Sequence, residues 1–201
     1  MIDGLDQLHD VQLFMRVLSK DIEVITEIGV GIILVGSLAV AYSEHRSTIE
    51  QLFDYNYHQP CFDIEKDQES FKLFAQILKT RSRQEDFIKE TASLIKYSGG
   101  VLRDLINLTQ ASIEEAYVLG DDKVEESHVQ IAVNSFGQGR ILGTTNDELE
   151  ILTKILQGKE FIPRTQEDIQ LLASQRILEY RYPEIRYEVH PTLKNLLQKN
   201  E

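Results

Sequence analysis

Three stretches of this chain place residues whose types and spacing could do chemistry. The first is Asp3-Gly-Leu-Asp6, an acidic turn with two carboxylates ahead of a helical pattern. The second is Ser98-Gly99-Gly100-Val-Leu-Arg103, a tight turn with a cation within the first turn and a half of the next helix. Adjacent glycines let the backbone approach a neighbouring layer closely. A cation near a helix start is slightly disfavoured by the positive helix end, so stability does not call for Arg103 there. A solvated surface arginine is the plain alternative. The third stretch is Gly137-Gln-Gly-Arg-Ile-Leu-Gly143-Thr-Thr145, which superficially suggests a phosphate loop. Such a loop needs four residues between its glycines, then Lys and Ser or Thr, between a strand and a helix. Here the interval is wrong, the lysine is missing and a helix precedes, so 137–144 reads as a linker. The five histidines (9, 45, 58, 128, 190) and Cys61 show no metal-ligand spacing.

The elements that would carry these residues are mostly helices. With 201 residues and 42% hydrophobic content, the chain can build one large core or two small ones. A formal net charge of -12 argues against nucleic-acid binding through bulk charge. A single cysteine excludes an internal disulfide and fits a reducing cytoplasm. The most apolar run, 28–42, is too short and glycine-rich for a membrane span. Within it, Gly29 to Ser37 reads as a buried strand of β-branched residues. The segment 57–64 reads as a short edge strand with Pro60 at its start. From Asp67 the pattern turns helical, with Phe71, Phe74, Ile77 and Leu78 on one face. Ser82 to Glu85 reads as a capping box opening the next helix.

Ser98 is placed to cap a long helix whose stripe is Val101, Leu102, Leu105, Ile106 and Leu108, running to Val118. Another helix is expected from Glu126 to Phe136. Thr145 and Glu148 form a capping box for a helix with Leu149, Leu152, Ile155 and Leu156 inward. A helix over 165–174 follows, then a hairpin over 177–182 and 185–190, then a short helix carrying Leu193, Leu196 and Leu197. The hairpin's alternation predicts one apolar face, with Tyr180, Tyr182 and Tyr187, and one charged face with cancelling charges.

This succession resembles AAA+ ATPases, particularly origin-recognition-type and STAND- or NACHT-like nucleotide switches. The resemblance implies a mainly α fold with some β, in four parts. These are part of an α/β nucleotide-binding core (1–64), a helical lid (65–136), a linker (137–144) and a winged-helix-like module (145–201). It assigns Asp3 to magnesium at the end of the Walker B strand, with Asp6 as its acidic companion. Ser37 would end the sensor-1 strand and Arg46 would be an intersubunit finger. The turn Gly99-Gly100 with Arg103 would be the sensor-2 element that reaches the nucleotide's terminal phosphates. ATP and Mg²⁺ are the implied cofactors of the intact family member. Because this chain lacks a Walker A loop, the expectation is a fragment or half of a switch that neither holds ATP nor hydrolyses it alone.

Implied partners are the remainder of the ATPase in the same or a separate chain, further copies of itself, and a protein bound through the winged helix. DNA is not favoured and no membrane is expected. Two other classes compete. One is a winged-helix DNA-binding or regulatory protein, which needs a basic face around Arg164, Arg176, Arg181 and Arg186. The other is a protein-docking adaptor that works through its lid helices.

Overall fold

The computed structural model describes residues 11–198 except 19, 21, 22, 28 and 82–89. The expectations for Asp3, Asp6 and the Ser82 to Glu85 capping box lie outside the described residues. The protein is mainly helical, and among the described residues its sheet is a two-stranded antiparallel hairpin. No helix among them is long and apolar enough to cross a membrane. The chain divides into two compact units: 1–59 with 163–174, and 60–162 with 175–201.

In the first unit, α1 (Val11–Val17), α2 (Glu23–Glu27), α3 (Leu38–Ala41) and α4 (Arg46–Leu52) are joined by α10 (Gln166–Ala173). Phe14, Leu18 and Val40 form its buried cluster, with Ile32, Leu34, Ile49 and Phe53 packed around them. The strand expected over 29–37 is absent. Residues 30–37 form neither a helix nor a ladder with any described residue. Ile32 and Leu34 turn towards the Phe14 cluster, whereas Ile33 is 93% exposed. The β-branched run favours a strand, but a buried strand also needs neighbours on both edges, and a local pattern does not supply them.

The second unit is built on α5 (Gln68–Arg81), α6 (Thr91–Tyr97), α7 (Leu102–Leu119) and α8 (Glu126–Ile141). Phe74 and Leu78 from the expected α5 face meet Leu94, Ile95, Leu105, Leu108, Val129 and Val133 in its core. Ser98 departs from its expected role. Its hydroxyl donates to the Ile95 carbonyl at 2.6 Å and accepts the Gly100 N–H at 3.3 Å, so it closes α6. The residue that opens α7 is Val101, which makes no side-chain cap. The linker expected over 137–144 also shrinks, because α8 continues to Ile141. Gly137 sits inside that helix, where an added Cβ would lie 2.4 Å from the Thr192 carbonyl oxygen. Its small size admits a close helix contact and does not punctuate a turn.

Beyond the connection, α9 (Asn146–Leu156) starts as expected, with Thr145 and Glu148 exchanging bonds at 2.8 and 3.2 Å. Each such cap contributes about 1 kcal/mol. The hairpin pairs β1 (Ile177–Tyr180) with β2 (Arg186–Val189), and α11 (Pro191–Gln198) follows. Its register corrects the expected division of faces. Tyr180 lies opposite Arg186 and Leu178 opposite Glu188, while Glu179 lies opposite Tyr187. The turn length sets that register, so the apolar sets of the two strands point to opposite sides. Both sides of β1 are buried, Glu179 included, and Tyr182 is exposed at the turn. The segment 57–64 is not a strand: 57–63 has no regular structure and a turn begins at Ile64. Cys61 N–H donates to the Glu179 carbonyl at 3.0 Å and Phe62 N–H to the Gly100 carbonyl at 3.2 Å, so it does not continue as a ladder.

Candidate functional site

The glycine turn is buried in the second unit. An added Cβ on Gly99 would meet Leu178 Cδ1 at 2.3 Å, and one on Gly100 would meet the Phe62 carbonyl oxygen at 1.8 Å. Both glycines have positive φ. Tyr180 seals the turn, donating its hydroxyl to the Gly99 carbonyl at 2.8 Å. The close backbone approach anticipated from the sequence therefore occurs, and the layer approached is the 61–64 segment and the hairpin. Arg103 points outward from the first turn of α7 and is exposed.

In the first unit, Ser37 precedes α3 in extended conformation without a side-chain cap bond. Arg46 is exposed and its Nε bonds Glu50 Oε1 at 2.8 Å, one turn along its own helix. An exposed pair of that kind contributes about 0.3–0.5 kcal/mol. Ser37 and Arg46 thus share one unit, and Gly99, Gly100 and Arg103 share the other.

One residue after Arg103, the helix turns inward and carries Asp104, which organises a buried polar chain missed in the sequence. Asp104 Oδ2 accepts from Arg140 Nη2 at 2.9 Å and from His190 Nε2 at 3.0 Å. His190 Nδ1 accepts the Thr192 backbone N–H at 3.3 Å and lies 2.8 Å from the Thr192 hydroxyl. That backbone donor assigns the Nδ1 lone pair as acceptor and places the ring proton on Nε2. Arg176 extends the set by donating to the Arg140 and Leu142 carbonyls at 2.8 and 3.0 Å, closing the C-terminus of α8. The only available signal was an acid at position 104 inside the apolar stripe of Val101, Leu105 and Leu108. Its partners lie 36 and 86 residues away, beyond any motif spacing.

Carboxylate, imidazole and hydroxyl in this order could activate a nucleophile. Burial decides against it. Asp104, His190 and Thr192 are only 3%, 0% and 2% exposed, so no substrate reaches the hydroxyl. The chain instead clamps α7, α8 and α11 together.

Burial pushes His190 down to about 4, against the opposing hydrogen bond to Asp104. Burial would raise the Asp104 carboxyl, but bonding from His190 and the charge of Arg140 outweigh it and hold it below the usual range. Nearby Cys61 is pushed up to about 11 by burial, which leaves the thiol protonated and unreactive.

A pH dependence follows. The unfolded chain protonates His190 near 6.5 and the folded protein only near 4. The folded state binds fewer protons, so stability falls as pH drops through that window, by up to about 3 kcal/mol. Asp104, with its lowered pKa, adds a further loss at the acid end. Urea midpoints between pH 4 and 8 should show this slope in the native protein and a flatter one in His190→Gln. An equally steep slope in the variant assigns the acid loss to carboxylates alone.

Comparison with family models, curated proteins and solved structures gives no match for this chain.

Proposed function

We propose that this chain is the C-terminal part of an AAA+/STAND-like nucleotide switch, and that it passes a conformational signal from lid to C-terminal module. The observation that carries the reading is Arg103. It stands exposed in the first turn of α7, directly after a buried glycine turn that fixes the start of that helix. A cation presented from such an immobile base suits a sensor that engages phosphate supplied by another part of the site. The clamp of Asp104, Arg140 and His190 sits beneath it and would move with α7, α8 and α11 together. The single thiol suits a cytoplasmic setting.

ATP and Mg²⁺ do not fit the described residues as a self-sufficient site. No Walker A loop is present in the sequence, and the backbone of Gly99 and Gly100 is covered by Phe62 and Leu178. The purified chain should therefore show no ATP turnover. Robust hydrolysis abolished by Asp3→Ala overturns the view of an incomplete site. Arg103→Ala should leave stability within about 0.5 kcal/mol, because the side chain is exposed. In a polypeptide that supplies the phosphate loop, the same substitution should abolish nucleotide-dependent change. Normal cycling with a melting point several degrees lower makes Arg103 a structural residue.

The DNA-binding reading is less well supported. Arg181 bonds Glu179 at 2.7 Å and Arg186 bonds Glu188 at 2.8 Å as well as Asp63, so the hairpin's cations are already neutralised.

A further inference from the structure

The helical pair α7 and α8 ends in an exposed apolar tip. Tyr117, Val118 and Leu119 are 85%, 77% and 59% exposed. Consecutive residues on a helix lie about 100° apart, so the three ring the helix end and do not line one face. Ala116, just before them, is buried in the core.

The tip is held in one conformation. Gly120 closes α7 in the left-handed region at φ 79. Its N–H donates to the Tyr117 carbonyl at 3.2 Å and that of Asp121 to the Ala116 carbonyl at 2.9 Å, the doubly bonded closure that keeps a helix end from fraying. Beyond the turn, buried His128 accepts the Glu125 N–H at 3.0 Å and joins Asp121 at 2.9 Å through its other ring nitrogen. Val124 is fully buried between them.

Nothing in the core requires three large apolar side chains on this tip, and clusters of this kind mark interaction sites. Charge narrows the occupant. Glu114, Glu115, Asp121, Asp122, Glu125 and Glu126 flank the tip, against Lys123 alone. That field repels anionic headgroups, nucleic-acid phosphates and the same tip on a second copy. It attracts a cationic surface.

We infer that the Tyr117–Leu119 tip is a docking knob for a partner protein that presents an apolar pocket rimmed by lysine and arginine. The apolar side chains fill the pocket while the carboxylates steer approach and give the association its salt dependence. A pre-fixed tip loses little conformational freedom on binding. The inference is independent of the nucleotide reading, since it uses none of Gly99, Gly100 and Arg103.

The probe is a synthetic amphipathic helical peptide of leucine and lysine, titrated into the full isotope-labelled chain. Chemical-shift changes should centre on 114–126, with affinity falling steeply as salt rises. Tyr117→Ser with Leu119→Ser should weaken binding by about tenfold or more. Glu114→Lys with Asp122→Lys should weaken it severalfold, and as a second exposed pair it keeps the test open if the first variant unfolds. Four results overturn the inference. They are no binding at low salt, shift changes spread over the acidic surface and indifferent to the Tyr117 variant, a dimer that this variant abolishes, and Tyr117-dependent binding to phosphatidylcholine vesicles.

Discussion

Asp104→Ala should cost the protein roughly 3–5 kcal/mol, as much as truncating a fully buried core aromatic. One carboxylate oxygen serves both Arg140 and His190, so its removal leaves a guanidinium in the interior without its counter-ion. Arg140 Nη1 already lacks a hydrogen-bond partner among the described residues, so none of them offers an alternative acceptor. The pair as a whole is worth much less than its rupture suggests, because both ions were desolvated to form it. Asp104→Leu combined with Arg140→Met should therefore be more stable than Asp104→Ala alone. Urea midpoints of the single and double variants decide this, with the denaturant slope as a check that folding stays two-state. Strict additivity means that the two residues do not couple, and the clamp fails as an account of how α7 meets α8.

Gly100→Ala should lower stability by more than about 3 kcal/mol, for a reason unrelated to helix propensity. Two penalties coincide at this residue. Its φ of 78° costs alanine about 1–2 kcal/mol. The new Cβ would also lie 1.8 Å from the Phe62 carbonyl oxygen, so the Phe62 peptide must move. That movement breaks the 3.2 Å bond from Phe62 N–H to the Gly100 carbonyl and disturbs the edge contact of Phe62 with Phe74 at 5.5 Å. Gly120 is the internal control, with φ 79° and no described residue within 4 Å of its added Cβ. Gly120→Ala should lose only the conformational part, about 2–8 °C in melting temperature at 2–4 °C per kcal/mol. Equal losses at the two positions remove the close approach from the explanation.

The helices were readable because their signals are local. Thr145 and Glu148 sit three apart, and the stripes of α5 and α7 repeat with the helical period, so neighbours in sequence carry the whole message. The two strands of the hairpin were readable for the same reason, yet their mutual register was not. It depends on how five turn residues close, and a shift of one residue exchanges faces. Gly137 looked like the start of a linker because its reason for being glycine, the Thr192 carbonyl, lies far along the chain. Residues 29–37 show the short β-branched apolar run of a buried strand, but pairing is a property of neighbours that the run does not specify. The polar chain at Asp104 was the hardest to see. Arg103 drew notice through its setting after the glycines, while the neighbouring acid 100° around the helix found its partners across three elements.

The first unit borrows α10 from residues 163–174, more than a hundred positions after its other segments end. Synthesis adds about 5–20 residues per second. The N-terminal segment therefore leaves the ribosome and waits roughly 5–20 s for the helix that completes it. The second unit is finished later still, because its hairpin and α11 follow that helix. The first unit is incomplete until 163–174 have been made, and the second until 175–198 have followed. During that interval the apolar residues around Val40 lack their α10 neighbour. The connectivity thus ties the completion of the first unit to a helix made long after its other residues, so its early apolar surface must stay uncovered until that helix arrives.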